Sequence, residues 1–368
     1  MSEVLKVLIV DDSITYRAIL TSVLHSIPEV SVVGTASNGK SALVKLSQVE
    51  VDMVLLDIEM PEMDGLQALH QISKVHPQLG AIMVSGTNRH SADITIQALE
   101  AGALDFVSKP DMNSVDENID ILKNKLLPIF KQFLVSRSQR NKATPIAISK
   151  VSLPAPVIQP ISASPLTQSQ LEQVDIIVIG VSTGGPNALN ELIPRLPSEI
   201  GVPILLVQHM PPMFTASLAY SLNNKSALTV KEAEDGEFVK PNTVYIAPGG
   251  FHMETLANRR GHVIIRLNEG PQENSCRPAI DVLFRSVAKT YEKNILALIM
   301  TGMGNDGARG VKAIKGNSNC YCITQTENSC VIYGMPKAVD QLNLSDEQVD
   351  LSNLAERITV LTKNKVSR

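Results

Sequence analysis

The sequence predicts an α/β protein carrying two doubly wound parallel-sheet domains on one chain. Short aliphatic runs alternate with helix-patterned stretches in both halves, which is the pattern of strands joined by crossover helices. Between the halves, residues 136–173 contain five prolines and seven serines but no glycine and no aromatic residue. The length of 368 residues also exceeds what one ordinary core serves. Hydrophobic residues make up 44% of the chain and aromatics only 4%, with no Trp, so the cores are expected to be aliphatic. That composition argues against a stacking platform for single-stranded nucleic acid.

In the first half, strands are predicted over 7–10, 31–36, 53–56, 81–85 and 105–107. Most of their positions are apolar, chiefly Val, Ile, Leu, Met or Ala, and turn-forming sequence separates them. Residues 1–135 are therefore expected to form one domain. The segment 136–173 carries no charge from Val151 to Leu171 and lacks the apolar content to fold alone, so it reads as a flexible linker. Its 38 residues would span about 130 Å fully extended, and proline stiffens it. The second domain, 174–368, is predicted to carry strands over 175–179, 204–208, 244–247, 262–266, 295–301 and 320–324. Neither half shows a fixed-period repeat.

Charge divides along the same boundaries. Residues 1–135 hold 10 Lys/Arg against 17 Asp/Glu, the linker holds 4 against 1, and the second domain 19 against 19. A neutral second domain offers no electrostatic footprint for DNA. Cys276, Cys320, Cys322 and Cys330 lack the paired spacing of a zinc site and are expected to be free thiols in a reducing compartment. No signal peptide opens the sequence, and no apolar run approaches the roughly 20 residues of a membrane span. A cytoplasmic protein without direct membrane insertion is the expectation.

Side chains at the carboxyl ends of parallel strands converge on one rim, where ligands bind in open α/β folds. In the first domain Asp11 and Asp12 follow the first strand, Asp57 the third, Ser85 the fourth, and Lys109 the fifth. Asp11 and Asp12 alone are equally well read as a helix cap. Together with Asp57 they form a cluster of carboxylates that requires a cation, and hard oxygen ligands suit Mg²⁺. The pattern resembles the receiver domain of two-component response regulators, a flavodoxin-like fold, over essentially all of residues 1–135. That resemblance implies that Asp57 accepts a phosphoryl group and that Asp11, Asp12, Asp57 and the Glu59 backbone carbonyl hold Mg²⁺. It also implies that Lys109 pairs with a phosphoryl oxygen, and that Ser85 and Phe106 reorganise on phosphorylation.

In the second domain the run Val174-Asp-Ile-Ile-Val-Ile-Gly-Val-Ser182-Thr-Gly-Gly-Pro186 leads a buried strand into a glycine-framed serine and then a helix. Gly180, Ser182 and Gly184 have the spacing of a nucleophile elbow. The same loop at a helix N-terminus also suits a phosphate, so catalyst and cradle are both open on this motif alone. A serine nucleophile needs a base and an orienting acceptor. His209 follows the strand 204–208, and Asp306 lies in the glycine-rich turn Thr301-Gly-Met-Gly-Asn-Asp-Gly307. Each has a plainer reading: a packed histidine beside Met210, and an Asp-Gly turn. Their order, Ser then His then Asp, differs from that of α/β-hydrolases, but a triad is defined by geometry. A nucleotide-binding module is disfavoured because the loop lacks the G-x-G-x-x-G spacing and a Walker lysine. A DNA-binding output lacks a basic helix-turn-helix signal.

The blocks Gly180-Val-Ser-Thr-Gly-Gly-Pro186, Gln208-His-Met-Pro211, Ala247-Pro-Gly-Gly-Phe-His252, Arg277-Pro-Ala-Ile-Asp-Val-Leu-Phe284, Thr301–Gly307 and Tyr333-Gly-Met-Pro336 resemble, in order, the CheB family of chemotaxis protein-glutamate methylesterases and glutamine deamidases. The resemblance implies a Rossmann-like catalytic domain with Ser182 as nucleophile, His209 as general base and acid, and Asp306 as its orienting partner. The oxyanion donors it implies are the backbone N–H groups of Thr183 and Met303. Core filling is the alternative for the Met303 side chain, and His252 and Arg277 are left between substrate recognition and a surface or turn role. The substrates implied are glutamate methyl esters and particular glutamines on cytoplasmic helices of methyl-accepting chemoreceptors. A chemotaxis histidine kinase is the implied phosphodonor, and the esterase is expected to need no cofactor. The receiver is expected to cover the catalytic cleft until Asp57 is phosphorylated.

Overall fold

The computed structural model describes residues 4–110, 114–142, 174–257, 262–291 and 294–363. The first sheet holds β1 (Leu5–Val10), β2 (Val30–Ala36), β3 (Met53–Asp57), β4 (Gly80–Ser85) and β5 (Asp105–Ser108). All neighbours pair in parallel, in the order β2-β1-β3-β4-β5. Helices α1 (Ile14–His25), α2 (Gly39–Leu46), α3 (Gly65–Val75), α4 (Arg89–Glu100) and α5 (Val115–Lys142) connect and flank these strands. The central strands β3 and β4 are buried along their whole length, which is why they read as unbroken apolar runs rather than alternating ones. Ser13, Asn38, Asp64 and Asn88 cap α1 to α4, each accepting a first-turn N–H through its side chain. The last helix runs past the predicted boundary at 135 to Lys142, and residues 143–173 of the predicted linker lie outside the described residues.

The second sheet is larger. It comprises β6 (Ile176–Val181), β7 (Ile204–Gln208), β8 (Thr229–Glu232), β9 (Thr243–Ile246), β12 (Asn294–Ile299), β13 (Asn319–Gln325) and β14 (Glu347–Val349), after a separate hairpin of β10 (His252–Ala257) and β11 (Val263–Asn268). The parallel order is β14-β13-β12-β6-β7-β9-β8. Around it lie α6 (Gly185–Leu192), α7 (Phe214–Lys225), α8 (Ile280–Thr290), α9 (Ala308–Asn317), α10 (Met335–Gln341) and α11 (Leu351–Thr362). Three strands escape the sequence prediction: β8, β10 and β14. The predicted parallel strand at 262–266 is instead half of an antiparallel hairpin that stands apart from the main sheet. Its alternating, partly exposed residues signal a strand but not which sheet it joins.

Both domains are thus α/β, with β6, β7 and β12 side by side at the centre of the second sheet. Their apolar residues fill both faces: Ile177 and Ile179 pack toward one helical layer, Ile176 and Val178 toward the other. The first of these layers is continuous with the first domain. Ala92, Ile96 and Leu99 of α4 belong to the same apolar cluster as Phe214, Leu218 and Leu222 of α7.

Candidate active site

The turn after β6 is held from three directions. Ser182 N–H donates to the Thr301 carbonyl at 2.9 Å, and Gly185 N–H closes the turn on the Ser182 carbonyl at 2.8 Å. The Thr301 hydroxyl donates to the Thr183 carbonyl at 2.9 Å. From β7, the buried Gln208 amide donates to the Ser182 carbonyl at 2.9 Å and to that of His209 at 3.2 Å, tying two strand ends together. Gly184 adopts φ 74°, and a Cβ there would lie 2.5 Å from Val331 Cβ. The turn therefore needs glycine on both conformational and steric grounds.

Three side chains meet at this rim. His209 Nδ1 is 3.1 Å from Ser182 Oγ, and its Nε2 is 2.8 Å from Asp306 Oδ2. A proton on Nε2, donated to the carboxylate, leaves the Nδ1 lone pair facing the serine hydroxyl. The ring is presented the other way round from chymotrypsin, where Nε2 meets the serine. Asp306 is 2% exposed, yet amply solvated by protein: Ile280 N–H donates to Oδ2 at 2.7 Å and Asp281 N–H to Oδ1 at 2.9 Å. Burial opposes its charge, but His209 and these amides hold the carboxyl below its ordinary range. Burial likewise opposes the imidazolium, but the Asp306 hydrogen bond and the neighbouring Cys276 thiol outweigh it and push His209 up to about 9.

Gly302 packs directly on the serine, since a Cβ on it would fall 2.7 Å from Ser182 Cβ. This contact brings the Gly302–Met303 peptide beside Ser182. The Met303 side chain is 46% exposed, so it does not fill the core. His252 is buried, with Nε2 facing the Pro271 carbonyl at 2.9 Å and Nδ1 accepting from Ala279 N–H at 3.2 Å. Both ring nitrogens are occupied in bracing the loop before α8, so a surface position is ruled out for it. Arg277 is pinned to backbone, donating to the Glu269 and Gly270 carbonyls at 2.7 and 3.0 Å. The four cysteines are free thiols.

At the rim of the first sheet, ligand atoms of Asp11, Asp12 and Asp57 all lie within 4.8 Å of one another. Lys109 Nζ bridges Asp11 Oδ2 and Asp57 Oδ2, each at 2.9 Å. Burial raises the Asp57 carboxyl to about 6, against the lowering effect of Lys109. Asp11 Oδ2 is buried with no hydrogen bond, tied only by the lysine ion pair. A buried, under-coordinated carboxylate oxygen beside two further carboxylates fits a hard divalent cation such as Mg²⁺. The Glu59 side chain turns away to accept from Ser91 Oγ at 2.5 Å. Ser85 faces α4, its Oγ accepting from Thr95 Oγ1 at 2.8 Å.

Contacts made by β5 and α4 lie between the two rims. Phe106 stacks on Phe214 with ring centroids 4.7 Å apart and planes 10° from parallel, which stabilises the contact by about 0.5–1.5 kcal/mol beyond area burial. Next to it, Asp105 is buried against the serine turn, where hydrogen bonds from the Thr183 hydroxyl and Gly184 N–H oppose its desolvation; burial prevails and raises the carboxyl to about 7. Asn187 of α6 donates to the Ala103 carbonyl at 2.9 Å, and Lys225 of α7 pairs with Glu100 at 2.6 Å. Sequence reasoning marked Phe106 but not Asp105. No local pattern distinguishes it, because its partners lie almost eighty positions further along the chain.

Residues 7–120 match the family model described as the response regulator receiver domain, and residues 177–358 match CheB methylesterase. The class is therefore a response regulator whose output is a hydrolytic enzyme. Over 98% of its length the chain is 43% identical to 99% of a protein-glutamate methylesterase/protein-glutamine glutaminase of Desulfotalea psychrophila. It is 42% identical over 97% of its length to 98% of one from Halalkalibacterium halodurans. Among solved structures, it matches 99% of the CheB methylesterase catalytic domain of Thermotoga maritima over 51% of this chain, at 43% identity and a TM-score of 0.50. The chain belongs to the CheB family of protein-glutamate methylesterases/protein-glutamine glutaminases. Among the described residues, no helix is long and apolar enough to cross a membrane.

Proposed function

We propose that this chain hydrolyses methyl esters of glutamate side chains, and deamidates particular glutamines, on the cytoplasmic helices of methyl-accepting chemoreceptors. The observation that carries the proposal is the continuous hydrogen-bonded chain from Ser182 through His209 to Asp306. Ser182 Oγ attacks the ester carbonyl while His209 Nδ1 takes its proton, and Asp306 stabilises the imidazolium that forms. Backbone N–H groups of Thr183 and Met303 receive the developing oxyanion, an interaction worth about 3–4 kcal/mol per donor in comparable enzymes. His209 then returns the proton to the departing methoxide, releasing methanol. Water, deprotonated by the same imidazole, cleaves the acyl-serine to free glutamate. For a glutamine substrate, ammonia leaves instead.

Activity is gated by the receiver. Asp57 accepts a phosphoryl group from a chemotaxis histidine kinase, and Lys109 is placed to pair with a phosphoryl oxygen. Mg²⁺ held by Asp11, Asp12, Asp57 and the Glu59 carbonyl would supply charge neutralisation for that transfer. The contacts of Asp105 and Phe106 at the serine turn and α7 support a closed state in which the receiver covers the cleft. Phosphorylation activates by favouring the open state over this closed one.

The test measures methanol released from methylated chemoreceptor cytoplasmic fragments, with and without acetyl phosphate and Mg²⁺. Release should rise with the phosphodonor and disappear in Ser182→Ala. Continued release by Ser182→Ala would remove the serine from the chemistry.

A further inference from the structure

The carboxylate that faces His209 stands where two helices cross, and neither helix caps itself. α8 follows Ala279 and α9 follows Gly307, and at neither position does an N-cap side chain accept a backbone N–H. Helix N-termini leave first-turn amides without intrahelical partners, and burial makes such amides costly unless something accepts from them. Here each helix is served by the aspartate at the start of the other. Asp306, just ahead of α9, accepts from Ile280 and Asp281 of α8 at 2.7 and 2.9 Å. Asp281, in the first turn of α8, accepts through Oδ1 from Gly307 N–H at 3.0 Å and Gly310 N–H at 2.6 Å.

Two amides join the two carboxylates: the Gly307 backbone N–H donates to Oδ1 of both at 3.0 Å, and the Asn274 side chain makes the second link. Asn274 Nδ2 donates to Asp306 Oδ1 at 2.8 Å and to Asp281 Oδ2 at 3.2 Å. Its backbone lies at φ 53°, a left-handed conformation that asparagine tolerates better than most residues. Asp281 and Asp306 are 1% and 2% exposed, so their mutual repulsion is weakly screened and must be answered by local donors. Oδ1 of Asp306 is occupied by Asn274 and the Asp281 and Gly307 amides, while Oδ2, held by the Ile280 amide, is the oxygen directed at the imidazole.

We propose that Asn274 and Asp281 are positioning residues for ester hydrolysis: the amide bridge and the exchanged helix caps fix the direction in which Asp306 faces His209. The inference rests on the Ser182–His209–Asp306 reading. Neither side chain is among the hydrogen-bond partners of the serine hydroxyl or the ring, so both act through Asp306.

The experiment uses full-length protein, acetyl phosphate, Mg²⁺ and methylated receptor fragments. Asp281→Asn keeps an oxygen for the α9 amides but turns an NH₂ toward that of Asn274, while Asn274→Ala removes the bridge from the other end. Each should lower kcat about tenfold with KM unchanged, and the double variant should be no slower than the slower single, because both break one bridge. The acid limb of kcat/KM should move in opposite directions. Asn274→Ala raises it, because Asp306 loses a donor and leans harder on the imidazolium, and Asp281→Asn lowers it, because an anion near Asp306 is gone. The inference is overturned by losses that multiply in the double variant, or by losses that follow the folded fraction in thermal melts while the acid limb stays fixed. Full activity in Asp306→Asn would instead overturn the triad reading, so the two failures are separable.

Discussion

The receiver helices α1 to α4 cap themselves, whereas α6, α8 and α9 around the serine do not. Ser13, Asn38, Asp64 and Asn88 satisfy their own helix starts locally. In the second domain the corresponding amides are served across space: Asp306 for α8, Asp281 for α9, and Asp105 of the receiver at Gly184, the residue just before α6. Self-capping makes a helix independent of its neighbours. Capping by a distant carboxylate makes helix ends into holders that orient functional groups, and the positive end of the helix dipole stabilises each anion it holds.

The same contrast separates the two rims. The receiver pocket gathers three carboxylates beside one lysine, and in the proposed function it takes up a further cation and an incoming phosphoryl group. The serine site already holds Ser182, His209 and Asp306 in one hydrogen-bonded chain, so under the proposed function what limits it is access. Regulation by covering the site requires no rearrangement of the catalytic groups.

The sharpest way to break this comparison is to disable one rim and read the other. Ser182→Ala should reduce methanol release by a factor on the order of 10⁴ or more, while Asp57 still takes up phosphate from acetyl phosphate in a phosphorylation assay. Loss of both would mean that the rims are not separable. Next in size, Gly302→Ala should lower kcat by about 100-fold, since its methyl group would displace Ser182 and misplacement near 1 Å costs that much. Circular dichroism should show the variant folded.

A smaller effect comes from pH. His209 must be neutral to accept the serine proton, and its folded-state value is raised from 6.5 to about 9. The base-competent fraction therefore grows as pH rises toward 9, and kcat/KM should climb by up to tenfold per pH unit before levelling off there. The linkage has the opposite sign for stability: the His209–Asp306 ion pair contributes fully below the unfolded value and is lost as pH rises through about 9. A rate profile flat from pH 6 to 9 would contradict the assignment of His209 as base. The smallest effect tests the contact between rims. Asp105→Ala should raise basal methanol release without phosphodonor by about fivefold and shrink the response to acetyl phosphate, because the closed state loses a buried contact at the serine turn.

Much of this was legible in the sequence for a common reason. Strand ends of parallel sheets are marked by an apolar run followed by a polar residue, so Asp57, Lys109, Ser182 and His209 announced their positions locally. Asp306 was readable through the glycines around it. The edge strands β8 and β14 were not, being short and only partly buried. Asp105, Asn274 and Asp281 were equally hidden, since each acquires meaning only from amides that packing delivers from elsewhere in the chain. Asp281 looks like any acidic residue in a first helical turn until α9 is laid against it.

Strand β5 is four residues long and presents Asp105 to the serine turn and Phe106 to Phe214, while Lys109, the next residue after it, reaches Asp57. Side chains along a strand alternate between faces, so the order of these residues is a matter of odd and even positions. A single residue inserted between Phe106 and Lys109 would leave the lysine anchored to the carboxylates and turn everything before it over. If the proposed gating holds, both chemistries would survive in such a protein, and neither would hear the other.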